Sequence, residues 1–155
     1  MDAKLVNPFI DAFISVMPQL GFPTPKRTKV YLQNKTISSF GVVVTIGFTQ
    51  QIRGSVVYNM NEDTAKFIAS TMMMGMPIAE FDAMAQSAIA EMSNMLAATS
   101  ATNLTALELS VDISTPSLTV GKGEKLKISD SQFLTVEMDL GGHKVDIAVA
   151  VDRNL

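Results

Sequence analysis

The 155 residues hold 12 Lys and Arg against 15 Asp and Glu, a net charge of −3 with no basic run, which argues against nucleic acid or an anionic membrane as a partner. With 47% apolar and 17% charged side chains the chain is globular and rather oily, and its length suits one domain over residues 1–155. No cysteine is present, which excludes disulfides, a thiolate nucleophile and Cys-ligated metal, and the lone His143 cannot build a His-rich metal site.

The N-terminus, MDAKLVNP, lacks a basic-then-apolar signal pattern and no 18-residue apolar run follows, so a soluble cytoplasmic protein is expected. Over residues 3–20, Leu5, Val6, Phe9, Ile10, Phe13, Ile14, Met17 and Leu20 recur at helical spacing. Asp2 is read as the cap, and Pro18 with Gly21 as the end. Pro8 lies later than the favoured first position, so it either shifts the helix start or kinks the helix. Residues 22–27, FPTPKR, read as an extended linker.

A β-rich half follows, with a short strand at 30–32, a strong β-branched run at 40–49, and a pairing strand at 52–60 across a tip at Gln50 and Gln51. Gly41, Gly47 and Gly54 punctuate these strands, as a bulge or a close crossing by another backbone requires. Asn61 caps a second helix, with Glu62 and Asp63 placed to suit its dipole; it runs to about residue 74, closed by Gly75. The run Met72-Met73-Met74-Gly75-Met76 is read as gap-filling at a helix end in preference to an adaptable binding surface.

Residues 81–102, FDAMAQSAIAEMSNMLAATSAT, form the helix around which the chain is organised. At ~100° per residue, Met84, Ala85, Ala88, Ile89, Met92, Met95 and Leu96 share one arc, predicted to be the buried stripe. Ser87, Glu91 and Asn94 follow i, i+4, i+7 spacing and stand in one row on the other side. Ala83, Ala90, Ala97, Ala98 and Ala101 lie around the row, and the segment holds no Lys or Arg. A solvated helix face normally carries long charged side chains, so the cleared face reads as a docking surface; the alternative is simple helix propensity of alanine. Beyond it, residues 109–114, 118–120, 125–128, 133–140 and 144–151 have strand character, with Gly141, Gly142 and an exposed His143 turning the last pair. The order predicts an α+β fold, helices including one long motif helix packed on an antiparallel sheet.

Glu-x-x-Asn alone arises by chance in about one chain in three of this length. Here Ser87 precedes Glu91 by four residues and Pro116 follows Asn94 by twenty-two. Requiring both lowers the chance expectation to roughly a few in a thousand. The pattern resembles the signature of the CheC/CheX/FliY family of chemotaxis phosphatases. The opening MDAKLVN, the segment GSVVYNMNEDTAKFIASTMMMGM and the motif helix resemble its CheX branch over about residues 1–152. Glu62, Glu80, Glu108, Glu124 and Glu137 have no Asn three positions on, so the chain carries one such site, unlike duplicated CheC-type chains.

The resemblance implies dephosphorylation of a phosphorylated CheY-type response regulator by a CheC-like homodimer that pairs through its sheet. It implies that Asn94 holds water in line with the aspartyl phosphate and Glu91 pairs with the regulator's active-site lysine, while Ser87 and Pro116 shape the helix face and the turn beyond. No cofactor or metal of its own is expected, Mg²⁺ belonging to the regulator. Two other classes stay open: a non-catalytic adaptor for a regulator or flagellar-motor component, and a ligand-sensing domain.

Overall fold

The computed structural model describes residues 3–154, so the predicted cap Asp2 lies outside the described residues. A 3-10 turn at Ala3–Leu5 leads into α1 (Asn7–Gln19). Pro8 falls at the start of α1, so of its two readings it is the one that resets the helix start; the ring's fixed φ suits a first turn whose N–H groups need no partner. The helix runs one residue past Pro18. Phe9 and Phe13 are fully buried, and Phe9 meets Phe48 edge to face with ring centroids 5.2 Å apart.

Among the described residues seven strands form one antiparallel sheet: β1 (Lys26–Ser38), β2 (Gly41–Gln50), β3 (Ile52–Asn61), β4 (Val111–Ile113), β5 (Ser117–Val120), β6 (Lys125–Leu140) and β7 (His143–Arg153). Their order is β1-β6-β7-β3-β2-β4, with β5 also pairing β2. Side chains alternate across the pleat. Val42, Val44, Ile46, Val56, Tyr58, Ile147 and Val149 therefore join the main core with α1, α2 (Glu62–Met72) and α3 (Ala83–Thr105). On the other face Val43, Val57 and Ala148 meet Ile37 and Phe133 in a smaller cluster.

Several predicted bounds are corrected. Lys26 and Arg27 belong to β1 rather than the linker, and β1 extends far beyond 30–32 because it is held by its ladder to β6 and not by burial. The strands expected at 125–128 and 133–140 are one continuous β6, with a register shift against β1 between Asn34 and Thr36. Predicted helix α2 ends at Met72, and the Asn61 side chain accepts the Thr64 N–H at 2.8 Å, as its capping role requires. Gly141 and Gly142, both at positive φ, make the final two-residue turn. His143, expected to be exposed, is half-buried at the start of β7, its ring stacked 4.0 Å from that of Phe67.

Candidate functional site: the outward ridge of α3

The start of α3 is fixed by chemistry local to its sequence. Asp82 accepts the Ala85 N–H at 3.0 Å, and the Gln86 amide donates to the Phe81 carbonyl at 3.1 Å. Near the other end, the Asn103 amide donates to the Pro8 carbonyl at 2.9 Å, tying α3 to α1. Both α1 and α2 pack against α3.

Ala85, Ile89, Met92, Ser93, Leu96, Ala97, Ser100 and Leu104 are buried. Met84, Ser87, Glu91, Asn94, Met95 and Ala98 are exposed and span an arc of ~100° on the opposite side. The predicted stripe is therefore corrected by a rotation of ~80° about the helix axis. Met84 (62% exposed) and Met95 (36%) face outward, and Ala97 faces inward rather than joining the docking face. Two serines explain the error. Ser93 and Ser100 each donate to the carbonyl four residues back, Ile89 and Leu96, at 2.8 Å, so their polarity is satisfied inside the core. The signal that would have placed the methionines was present: with Ser87, Glu91 and Asn94 turned outward, Met84 and Met95 fall beside them.

Glu91 and Asn94 lie one turn apart, about 4.5 Å along the axis. Among the described residues, no side-chain hydrogen bond or ion pair engages Ser87, Glu91 or Asn94. Unlike Ser93 and Ser100, Ser87 does not bond back to its own helix. An uncommitted carboxylate accepts hydrogen bonds from a cation, and an uncommitted carboxamide both donates and accepts. Pro116 is not on this ridge. It lies half-buried in the connection from β4 to β5, next to Ser114, whose Oγ accepts the Gly47 N–H at 2.8 Å.

Asp146 of β7 lies on the sheet face away from the helices, where burial raises its carboxyl pKa while the Tyr31 hydroxyl, which donates to it, opposes the shift. Among the described residues no three His, Cys, Asp or Glu side chains are grouped to hold a metal ion, and no helix is long and apolar enough to cross a membrane.

The architecture is CheC-like: 98% of the chain superposes on 99% of a CheC-like superfamily protein from Shewanella, with a TM-score of 0.86 at 21% identity. A family model described as chemotaxis phosphatase CheX matches residues 42–139, which include α3 and Pro116. The chain is 34% identical over 127 residues, 82% of each protein, to the CheY-P phosphatase CheX of Thermotoga maritima. It is also similar to a chain of the CheX–CheY–BeF3–Mg²⁺ complex from Borrelia burgdorferi, with a TM-score of 0.81 and 26% identity over 96% of this chain and 98% of that one. This protein belongs to the CheX family of chemotaxis phosphatases.

Proposed function

We propose that this protein hydrolyses the aspartyl phosphate of a CheY-type response regulator in the cytoplasm. The observation that carries the reading is the outward, uncommitted Glu91–Asn94 pair on a ridge without cations; the 34% identical relative named as a CheY-P phosphatase supports it. Asn94 enters the regulator's pocket and orients water against phosphorus. The water oxygen bonds to phosphorus, the bond to the aspartyl oxygen breaks with its electrons returning to the carboxylate, and inorganic phosphate leaves. Glu91 holds the regulator's lysine, while Ser87 keeps the approach low and Pro116 fixes the turn after β4. An acyl phosphate is already reactive, so orientation can supply much of the acceleration, and the neutralising Mg²⁺ and lysine come with the regulator.

Decay of phosphorylated CheY from the same organism, followed by released phosphate, is expected to quicken in proportion to added protein. Measurable binding with unchanged decay would make the protein an adaptor, and neither binding nor faster decay would leave the ligand-sensing reading.

The reading includes a homodimer. Among the described residues β1 pairs only with β6 and so leaves its outer edge open, with Val30 50% and Leu32 61% exposed. Light scattering at micromolar concentration should give about twice the 16.7 kDa chain mass. A monomer mass would remove the dimer from the proposal.

A further inference from the structure

At the N-terminal end of α3 a cleft of about 360 Å³ is lined by Met73, Met76, Pro77, Ile78, Glu80 and Met84. Half-buried Met72 packs against the core as the sequence suggested, but the rest of the run turns outward: Met74 is 97% exposed and Met76 51%, and Met84 at the start of α3 is 62% exposed. Single exposed apolar residues are ordinary, but Met73, Met76 and Met84 bordering one cleft, with exposed Met74 next to Met73 in the chain, form a patch of the kind that marks an interaction surface. Methionine, unbranched and polarisable, adapts to the shape of what it meets.

Met84 belongs to both the cleft and the ridge. It stands two turns, about 10.5 Å, before Glu91 on nearly the same line of the helix. A partner that reaches Glu91 and Asn94 along this line also meets Met84. The Ser87–Glu91–Asn94–Ala98 row consists of small or polar side chains and offers little apolar area, whereas a stable interface takes about 800 Å² from each side and draws most of its energy from a few apolar anchors. From Met73 to Ala98 the chain carries Glu80, Asp82 and Glu91 and no Lys or Arg. The surface is therefore continuous, apolar at one end and acidic along its length.

We infer that the methionine cleft is the affinity-determining end of the regulator-docking surface, receiving an apolar side chain that stands beside a basic residue on the regulator. This rests on the function proposed above, and it separates two tasks: Asn94 and Glu91 address the phosphoryl site, while Met73, Met76 and Met84 set which regulator stays bound.

The eleven methionines provide the probe. The protein labelled with methyl-¹³C methionine is titrated with CheY of the same organism, held in its activated form by beryllofluoride and Mg²⁺. The Met73, Met76 and Met84 signals are expected to move together with that of Met95 beside Asn94, while those of buried Met17, Met60 and Met138 stay. In kinetics, the double substitution Met76→Ser with Met84→Ser should raise KM roughly tenfold or more, with the loss falling on KM rather than kcat. Movement of Met95 without Met73, Met76 and Met84, or an unchanged KM, overturns the inference and leaves the phosphatase reading standing. If no methionine moves and decay of the phosphorylated regulator is unaltered, both fall.

Discussion

Asn94→Ala is expected to return the decay of phosphorylated CheY to its spontaneous rate, a loss of about 10²–10³-fold if the carboxamide acts like other preorganised polar groups at a reacting centre. The thermal midpoint should not fall. Asn94 is exposed and makes no side-chain hydrogen bond within the described chain, and alanine is favoured over asparagine inside a helix by several tenths of a kcal/mol. Binding of beryllofluoride-activated CheY should persist, because the amide's proposed task is performed on the attacking water and not on the ground-state complex. The loss should therefore fall on kcat. Asn94→Asp sharpens the test. It keeps the shape, removes the N–H donors and sets a negative charge against a phosphoryl group, so it should be no more active than the alanine variant. Undiminished acceleration in Asn94→Ala would remove Asn94 from the chemistry.

The outward placing of Glu91 and Asn94 was open to reading from the chain because its signal is local. A carboxylate and a carboxamide three residues apart meet on one side of any α-helix, and the absence of Lys and Arg over residues 81–102 is visible without coordinates. The cap at Asn61, the β2–β3 tip and the Gly141–Gly142 turn were legible for the same reason, since each depends on side chains within a few residues. What escaped depends on partners distant in sequence. β1 is rich in Lys, Thr, Gln and Asn, and its pattern is mostly exposed on both sides, so period-2 alternation is missing; β6, a hundred residues later, is what makes it a strand. The rotation of α3 was hidden because Ser93 and Ser100 are buried with their hydroxyls bonded internally, while Met84 and Met95 are apolar and outside. Hydropathy cannot tell a methionine that faces a core from one that faces a partner.

The largest expected loss of stability comes from Gly54→Ala in the middle of the sheet. Gly54 sits at φ +133°, a conformation L-residues rarely adopt, opposite Val151 on β7. A Cβ there would lie 2.0 Å from the Ala150 carbonyl oxygen and 2.8 Å from Val151 Cα. Both are backbone atoms, so no rotamer change relieves the clash, and β3 and β7 would have to separate where they form the centre of the β6-β7-β3-β2 array. The close-crossing reading of this glycine applies here, and the cost should be on the order of 4 kcal/mol or more, among the large effects that strain and lost pairing produce. For a domain of this size that lowers the thermal midpoint by about 8–16 °C. Gly75→Ala is the control. Gly75 is also at positive φ, +84°, but a Cβ there meets nothing within 4 Å, so only backbone strain of about 1 kcal/mol is expected. Equal losses in the two variants would show that the clash does not matter. The two glycines also frame the Asn94 result: activity lost by Gly54→Ala should follow the unfolded fraction and recover on cooling below its lowered midpoint, whereas activity lost by Asn94→Ala should be absent at every temperature at which the protein is folded.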